Sequence, residues 1–255
     1  MQEKEEETKK IATNFEKLAD FQFIDPKVEL VGLTCPIINI NDSPTYQPTI
    51  NIESFIEDAG RTCYKSFDKK EVGTDEKFCN MLLNSGHTSV FEHASASFRI
   101  ICSRSVLAEI TRHRLASFSV QSQRFVNYAK KGLTFIKPSW ISWKEIDEFS
   151  SNLFKDSAES ERTVSENFIW MLSDVCNNYH ILIEKGWKPE QAREILPNAT
   201  ATEIVMTANF REWINILNQR SDANPAAYSE IRVIANQIAK ILVGISPTIF
   251  KQFKK

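Results

Sequence analysis

The order of strand-like and helix-like patterns along the chain is the feature that most constrains its fold. Short apolar runs typical of strands occur at 28–33, 94–102 and 201–207. Segments with helical periodicity, such as 50–64 and 75–83, lie between them. Because strands and helices follow one another in mixed order, the sequence predicts an α+β fold rather than a doubly wound sheet. We expect a central, mostly antiparallel sheet flanked by helices.

Residues 103–128 are predicted to form a helix, a loop and a strand, in that order. Ser103 is a suitable N-cap for a helix that runs to about Leu115, and its periodicity places His113 on the apolar face of that helix. The polar segment 117–122 contains few helix formers and predicts a loop. A strand is expected to follow at 124–128.

The C-terminal half is predicted to be mainly helical. One or two long helices are expected over 149–185, ended by Gly186, and a short helix opens at Pro189. Asn209, with Glu212 three residues later, resembles a capping box. The pair Asn224-Pro225 is expected to cap the last long helix. The helix after Asn209 should carry a polar row made of Arg211, Asn215 and Gln219.

The chain is expected to form one domain. Its 255 residues can bury a core, and no linker rich in Pro, Gly or Ser divides it. We expect residues 1–27 to be an acidic, peripheral N-terminal extension with an amphipathic helix at 3–20, and residues 28–255 to form the domain. The first twenty residues do not resemble a signal peptide, and no long apolar run predicts a membrane span. With five scattered cysteines that fit reduced thiols, these features favour a cytoplasmic protein.

Positive charge is concentrated in one part of an otherwise acidic chain. Residues 99–131 hold seven Lys or Arg and the single acid Glu109, a local charge of +6, so the remaining residues sum to −8 to give the net −2. Within this stretch the segment 112–124 reads RHRLASFSVQSQR. This segregation predicts a negatively charged ligand.

A phosphorylated ligand would have to be held by side chains. The seven glycines form neither a Gly-x-Gly-x-x-Gly turn nor a P-loop. Arginine is the natural substitute, because its planar guanidinium makes two parallel charge-assisted bonds to a phosphate. Arg112, Arg114 and Arg124 supply three such groups.

Each of these residues also has a plainer interpretation. Arginines at a helix end can be solvated charges favoured by the helix dipole. His113 could be a packed core histidine. A metal site built from the histidines is disfavoured, because no helical His-x-x-x-His pair occurs.

Three further residues allow a structural role instead of a ligand contact. Glu109 could form a surface ion pair with Arg112, three residues away on one helix. Arg193 could simply pair with Glu190. Asn209 could be an N-cap only.

Several motifs together resemble the flavin-dependent thymidylate synthase family. Arg112-His113-Arg114 is followed after seven residues by Ser122 and then Arg124. Segment 86–93 (GHTSVFEH) resembles that family's Gly-His-x-Ser/Thr-x-Phe-Glu-His, and 191–197 (QAREILP) resembles its Ala-Arg-x-x-Leu-Pro. Three further sites resemble positions of that family: residues 209–211 its Asn-x-Arg, Asn215 its Asn, and residues 220–222 its Arg-x-Asp. The motifs cover about residues 50 to 250.

The resemblance implies an enzyme and its ligands. The family binds FAD and converts dUMP to dTMP by reductive methylation, using methylenetetrahydrofolate as one-carbon donor and NADPH as the source of reducing equivalents. It implies a homotetramer whose active sites form between subunits. Neither a nucleic acid nor a membrane is expected as a partner, and no metal is expected at the site.

The resemblance also implies roles for individual residues. Arg220 is the catalytic residue, placed to favour ionisation at N3 of the uracil ring. The FAD-binding residues are Ser89, Arg112, His113, Arg114, Val120, Asn209, Arg211 and Asn215. The dUMP-binding residues are Glu109, Arg112, Gln121, Ser122, Gln123, Arg124, Arg193 and Arg220.

Two readings compete with this enzyme. A nucleic-acid-binding module would place the basic residues of 112–130 on phosphates and stack bases on Phe118, Phe125 and Tyr128. The net charge of −2 and the single short basic stretch argue against it. A nucleotide-sensing relative that binds FAD and dUMP without turnover differs from the enzyme only by assay.

Overall fold

The computed structural model describes residues 21–40, 43–46, 51–152 and 162–254. The strands are β1 (Phe21–Ile24), β2 (Lys27–Leu33), β3 (Ile37–Ile40), β4 (Ser43–Tyr46), β5 (Ser95–Ser103), β6 (Ala116–Val120), β7 (Leu133–Ile136) and β8 (Ala201–Asn209). The α-helices are α1 (Ile52–Tyr64), α2 (Asp75–Asn84), α3 (Arg104–Ile110), α4 (Tyr128–Lys131), α5 (Trp143–Asn152), α6 (Val164–Glu184), α7 (Pro189–Ala192), α8 (Phe210–Arg220) and α9 (Ser229–Ile245). Short 3-10 helices include Thr88–His93 and Arg193–Ile195. The fold class is α+β, as predicted.

The chain divides into two compact units. The described residues of the first unit lie within 21–26, 102–108 and 121–202, and those of the second lie within 27–101, 109–120 and 203–254. The boundary predicted between residues 27 and 28 stays a prediction, and the helix predicted at 3–20 lies outside the described residues.

The second unit contains a four-stranded sheet with the strand order β2-β5-β8-β6. β2 pairs with β5, and β6 pairs with β8, both antiparallel. Along β5, buried residues alternate with more exposed ones, which is the period of a strand with one covered face. The predicted single, mostly antiparallel central sheet stays a prediction.

Aromatic side chains fix α8 against β5 in the second unit. The rings of Phe98 and Trp213 meet edge to face with centroids 5.1 Å apart, and the Trp213 indole N–H donates to the carbonyl of Ala96 at 3.1 Å. Both rings are fully buried. Because Trp213 is the fourth of the eleven residues of α8, this packing fixes which face of the helix points away from the sheet.

The first unit is built around α6 and a two-stranded sheet. β1 and β7 pair in parallel, and Phe21 and Phe135 from the two strands make an edge contact at 5.5 Å. Thr163 and Glu166 form a capping box at the start of α6. The core of this unit contains Tyr128, Leu133, Phe135, Leu172, Cys176, Tyr179 and Ala192.

Glycines end two helices as predicted. Gly86 follows α2 with φ of 70°, and Gly186 follows α6 with φ of 95°. In both cases the next residue's N–H reaches back to the last turn, from His87 to Leu82 and from Trp187 to Leu182, each at 2.9 Å. This is the helix end that favours glycine, because other residues resist a positive φ.

The predicted helix from Ser103 to Leu115 is wrong in its C-terminal part. Ser103 does cap it, since its hydroxyl accepts the N–H of Val106 at 3.2 Å, but α3 ends at Ile110. The next residues form a turn in which the N–H of His113 donates to the carbonyl of Ile110. The chain leaves the helix there because it must become extended at Ala116 to pair with β8.

The predicted loop at 117–122 and strand at 124–128 are also wrong. Residues 116–120 form β6, whose Phe118 lies opposite Met206. The segment after Ser122 is a turn, in which the Ser122 carbonyl accepts from the N–H of Val126. In β6, Ser117 and Ser119 alternate with Phe118 and Val120, which is the period of a strand at the edge of a sheet. The polar composition of this segment led to the prediction of a loop.

Two smaller predictions about helix starts differ from the structure. The helical region predicted from 149 begins earlier, at Trp143, and consists of two helices, α5 and α6, one of the two arrangements that the prediction allowed. Asn224 does not cap α9, which begins at Ser229. Instead, the Asn224 side chain closes the preceding turn by donating to the carbonyl of Gln219 at 2.9 Å and accepting the N–H of Ala226 at 3.2 Å.

Among the described residues, none of the helices is both long enough and apolar enough to cross a membrane. The cytoplasmic location expected from the sequence stays a prediction.

Candidate active site

The Arg112-His113-Arg114 motif lies in the turn between α3 and β6, in the second unit. Its three side chains differ in exposure, since Arg112 and Arg114 are exposed and His113 is only 6% exposed. Neither arginine side chain makes a hydrogen bond or an ion pair with another described residue. The motif therefore holds two solvent-facing guanidiniums on either side of a buried imidazole.

Arg220, at the last position of α8, is held by two groups. Its Nη1 donates to Glu109 Oε2 at 2.9 Å, and its Nε donates to His113 Nε2 at 3.3 Å. The Arg220 side chain is 19% exposed, and that of Glu109 is 33% exposed. The guanidinium is thus oriented by a carboxylate and an imidazole but is still partly accessible.

Glu212 lies on the other side of the His113 ring. Its Oε1 is 3.5 Å from His113 Nδ1, and it is almost as buried as the histidine. The amide nitrogen of Asn215 donates to both Glu212 carboxylate oxygens, at 3.3 and 3.2 Å. Gln219 in turn donates to Asn215 Oδ1 at 2.7 Å. Two members of the predicted polar row, Asn215 and Gln219, are therefore joined by a hydrogen bond that continues to Glu212, whereas the third, Arg211, is not part of this chain.

The environment of His113 favours its neutral form. Burial is the main factor that lowers the pKa of His113 from its ordinary value of 6.5, and the positive charge of Arg220 lowers it further. The Glu212 carboxylate acts in the opposite direction and does not overcome them. His113 is buried as a core histidine would be, yet both of its ring nitrogens face polar partners.

Asn209 and Arg211 begin α8. The Asn209 side chain accepts the N–H of Glu212 at 2.8 Å, which confirms the N-cap interpretation. Arg211 is exposed and forms an ion pair with Glu92. Glu92 and the exposed Ser89 both lie in the 3-10 helix Thr88–His93. Two of the sequence motifs thus meet in this ion pair.

The remaining dUMP-site candidates lie in the first unit, in the turn after β6 and in α7 with the 3-10 helix that follows it. The Ser122 hydroxyl accepts the N–H of Arg124 at 3.3 Å. Arg124 makes an exposed ion pair with Glu190 at 3.4 Å, and Arg193 makes one with Glu194 at 3.6 Å. These are exposed pairs of the kind that contributes little to stability.

Gln123 lies in the same turn. Burial raises the pKa of Tyr128, and the nearby Arg104 and Gln123 side chains act in the opposite direction without overcoming it, so the phenol stays neutral. Val120 ends β6 at 39% exposure, and Gln121 follows it.

The two ion pairs that the sequence offered as alternatives to ligand binding, Glu109 with Arg112 and Arg193 with Glu190, are wrong. Glu109 pairs with Arg220 rather than with Arg112, and Glu190 pairs with Arg124 rather than with Arg193. In both cases the partner comes from a distant part of the sequence, which local spacing cannot reveal.

Glu212 is the member of this site that sequence reasoning missed. The sequence predicts it only as part of a capping box with Asn209. Its backbone N–H does donate to the Asn209 side chain, but its carboxylate faces His113 and Asn215, so the second half of the box is not formed. A signal was available, because Glu212 lies four residues before the buried Ile216 on α8. An acid on a buried helical face needs a partner, and here the partner is His113.

The donor set suits a flavin dinucleotide. FAD carries a pyrophosphate, and this chain has no glycine-rich turn that could bind it through backbone N–H groups. Arg112 and Arg114, whose guanidiniums have no partner among the described residues, supply the charge that a pyrophosphate requires. Among the described residues, no group of three or more His, Cys, Asp or Glu side chains is arranged to hold a metal ion.

Comparison with known proteins supports the same family. Residues 47–248 match the family model described as thymidylate synthase complementing protein. A probable flavin-dependent thymidylate synthase from Mycobacterium phage L5 is 35% identical over 217 residues, which cover 82% of this chain and 84% of the relative. A flavin-dependent thymidylate synthase from Corynebacterium efficiens is 35% identical over 206 residues, covering 79% of this chain and 80% of the relative.

A solved structure shares the fold. Thymidylate synthase X from Helicobacter pylori, crystallised with FAD and dUMP, superimposes with a TM-score of 0.65 at 23% sequence identity. The match covers 89% of this chain and 98% of that one. With the family model spanning most of the chain, these relatives show that the chain belongs to the family of flavin-dependent thymidylate synthases.

Proposed function

We propose that the chain catalyses the reductive methylation of dUMP to dTMP. Methylenetetrahydrofolate supplies the one-carbon unit, NADPH supplies the reducing equivalents, and tetrahydrofolate and NADP⁺ are released. With one proton taken up, the atoms and electrons of this reaction balance. Family membership supports the proposal, as do FAD and dUMP in the related Helicobacter pylori structure.

The observation that carries the proposal is the contrast between anchored and free guanidiniums in the second unit. Arg220 is fixed by Glu109 and His113. The side chains of Arg112 and Arg114, on either side of that histidine in the sequence, form no hydrogen bond or ion pair with a described residue. A fixed guanidinium suits charge that develops during a reaction, since it need not reorganise. Free guanidiniums suit the binding of a charged ligand.

Arg220 is assigned to the pyrimidine ring. A guanidinium beside the ring N3 favours its ionisation, which places negative charge in the ring and makes C5 a better nucleophile towards the one-carbon unit. Glu109 keeps Arg220 oriented while its own second oxygen stays available to the substrate. The other members proposed for the dUMP-binding set are Arg112, Gln121, Ser122, Gln123, Arg124 and Arg193.

Arg124 and Arg193 are assigned to the dUMP phosphate. Each now pairs with an exposed glutamate at more than 3.3 Å, Arg124 with Glu190 and Arg193 with Glu194. Exposed pairs of this kind are weak, whereas a phosphate offers a guanidinium two parallel, charge-assisted bonds. The phosphate therefore replaces the glutamates without a large energetic cost.

Ser89, Arg112, His113, Arg114, Val120, Asn209, Arg211 and Asn215 are assigned to FAD. When bound, FAD supplies the hydride that completes the methyl group. Arg112 and Arg114 bind the pyrophosphate, and Arg211 exchanges its ion pair with Glu92 for a cofactor contact. Assembly as a homotetramer with active sites between subunits, in the cytoplasm, is part of the same proposal.

Purified protein tests the proposal directly. We expect the yellow absorbance of bound flavin, and formation of dTMP from dUMP only when methylenetetrahydrofolate and NADPH are both present. Protein that remains colourless and inactive after FAD is added would refute it. If it binds FAD and dUMP but makes no dTMP, the chain is a sensor. If it binds single-stranded nucleic acid tightly, with a steep salt dependence and no competition from dUMP, it is the nucleic-acid module.

A further inference from the structure

We infer that Glu212 is a positioning residue that fixes the proton of His113 on Nδ1, so that His113 Nε2 accepts a hydrogen bond from Arg220 and orients its guanidinium. The inference rests on the proposed role of Arg220 at the pyrimidine ring. It adds a function to an acid outside the binding sets above, and it gives His113 a task besides contact with FAD.

The direction of each hydrogen bond follows from the groups involved. The Nε of an arginine always carries a hydrogen and can only donate. His113 Nε2, 3.3 Å from Arg220 Nε, must therefore be the unprotonated nitrogen of the ring. In a neutral imidazole the single proton is then on Nδ1, the atom that faces Glu212 at 3.5 Å.

Glu212 is itself held in place by two residues. Its backbone N–H is bound by the Asn209 side chain, and both of its carboxylate oxygens accept from Asn215. Gln219 donates to Asn215, so every group in the series from Gln219 to Glu109 has a compatible donor or acceptor. A carboxylate that only accepts fixes the tautomer of the histidine beside it.

A change in the state of His113 would release Arg220. If the proton moved to Nε2, two N–H groups would face each other and Arg220 would lose one of its two anchors. If the ring became fully protonated, its positive charge would also repel the guanidinium. The charged groups that face the ring are Arg220 and Glu212 from α8, and Glu109 lies beyond Arg220 on α3. Burial and Arg220 keep the ring neutral, and Glu212 selects the tautomer.

The test combines a spectroscopic and a kinetic measurement on the full-length, FAD-loaded protein. The chain has only four histidines, so protein labelled with ¹⁵N-histidine gives few ring signals. The signals of His113 are identified by their loss in His113→Asn. In the unmodified protein we expect the Nδ1–H tautomer at pH 8.

Glu212→Gln provides the perturbation, because the amide can also donate and no longer selects one tautomer. We expect mixed tautomers and a kcat for dTMP formation lower by roughly 10- to 100-fold, as for other displaced catalytic groups, with bound flavin retained. Glu203→Gln is the matched control. Glu203 pairs with Arg99 on the sheet, and its loss should leave both the tautomer and kcat unchanged.

Two results would overturn the inference: an Nε2–H ring in the unmodified protein, or a Glu212→Gln variant with an unchanged tautomer and kcat. The first requires no variant, so it decides the question even if Glu212→Gln fails to fold. Failure of the proposed function is distinguishable, because unmodified protein that makes no dTMP would still report its His113 tautomer.

Discussion

A buried ion pair inside α1 offers a quantitative test of the packing described for the second unit. Arg61 Nη2 lies 2.7 Å from Glu57 Oε1, with the two side chains 6% and 1% exposed. Arg61 also donates to the carbonyl of Ser66 at 2.7 Å, and its guanidinium lies over the ring of Phe78. We predict that Arg61→Met strongly destabilises the protein.

The magnitude follows from what the substitution leaves behind. In Arg61→Met the Glu57 carboxylate stays buried. Among the described residues, only the Thr74 hydroxyl still donates a hydrogen bond to it. Breaking a buried pair in this way costs about 3–5 kcal/mol of unfolding free energy. If Glu57→Gln is added, no charge remains buried, so the double variant should be about 1–3 kcal/mol more stable than the sum of the two single effects.

Urea denaturation followed by circular dichroism, at one fixed protein concentration, measures the four free energies of unfolding. The matched control is the pair Lys144–Glu148, which has the same spacing in α5 but is 83% and 60% exposed. Its loss should cost only about 0.3–0.5 kcal/mol. Strictly additive effects at Arg61 and Glu57, or a cost no greater than that of the control pair, would refute the reasoning.

Three further predictions concern single residues. Asn209→Ala should lower the unfolding free energy by about 1 kcal/mol through loss of the α8 N-cap, whereas Asn209→Ser should keep most of it; equal losses in thermal or urea melts would contradict this. Burial and Arg220 lower the pKa of His113 below 6.5, so the unfolded chain takes up a proton at a higher pH than the folded one, and stability should fall as the pH drops below 6.5. His113→Asn should lose that part of the pH dependence in urea melts at pH 5 to 8, and a variant with the original profile would exclude this cause. Burial raises the pKa of Cys79 far above its ordinary value, so iodoacetamide at pH 8 should label the exposed Cys63 in folded protein and Cys79 only after unfolding, as mass spectrometry of peptides can establish.

Local signals in the sequence predicted those parts of the fold that local forces decide. The glycines after α2 and α6 end helices because their backbone can adopt positive φ. Asn209 caps α8 because its side chain reaches an N–H three residues ahead. In both cases the residues that determine the structure are close together in the sequence.

The errors lie where distant segments decide the structure. The end of α3 and the formation of β6 depend on pairing with β8, about a third of the chain away in sequence. The partners of Glu109 and Glu190 were wrong for the same reason. The motifs identified the binding segments, but only the fold revealed that Glu212, His113, Arg220 and Glu109 form one connected series.

The central claim is that Arg220 acts on the substrate ring while Arg112 and Arg114 hold the cofactor. The most direct test measures dTMP turnover and FAD affinity for Arg220→Ala, for the double variant of Arg112 and Arg114 to Ala, and for the control Arg99→Ala. We predict that Arg220→Ala lowers turnover by about 100-fold or more with FAD affinity nearly unchanged, that the double variant loses FAD, and that the control changes neither. Unchanged turnover in Arg220→Ala, with FAD still bound, would contradict the account.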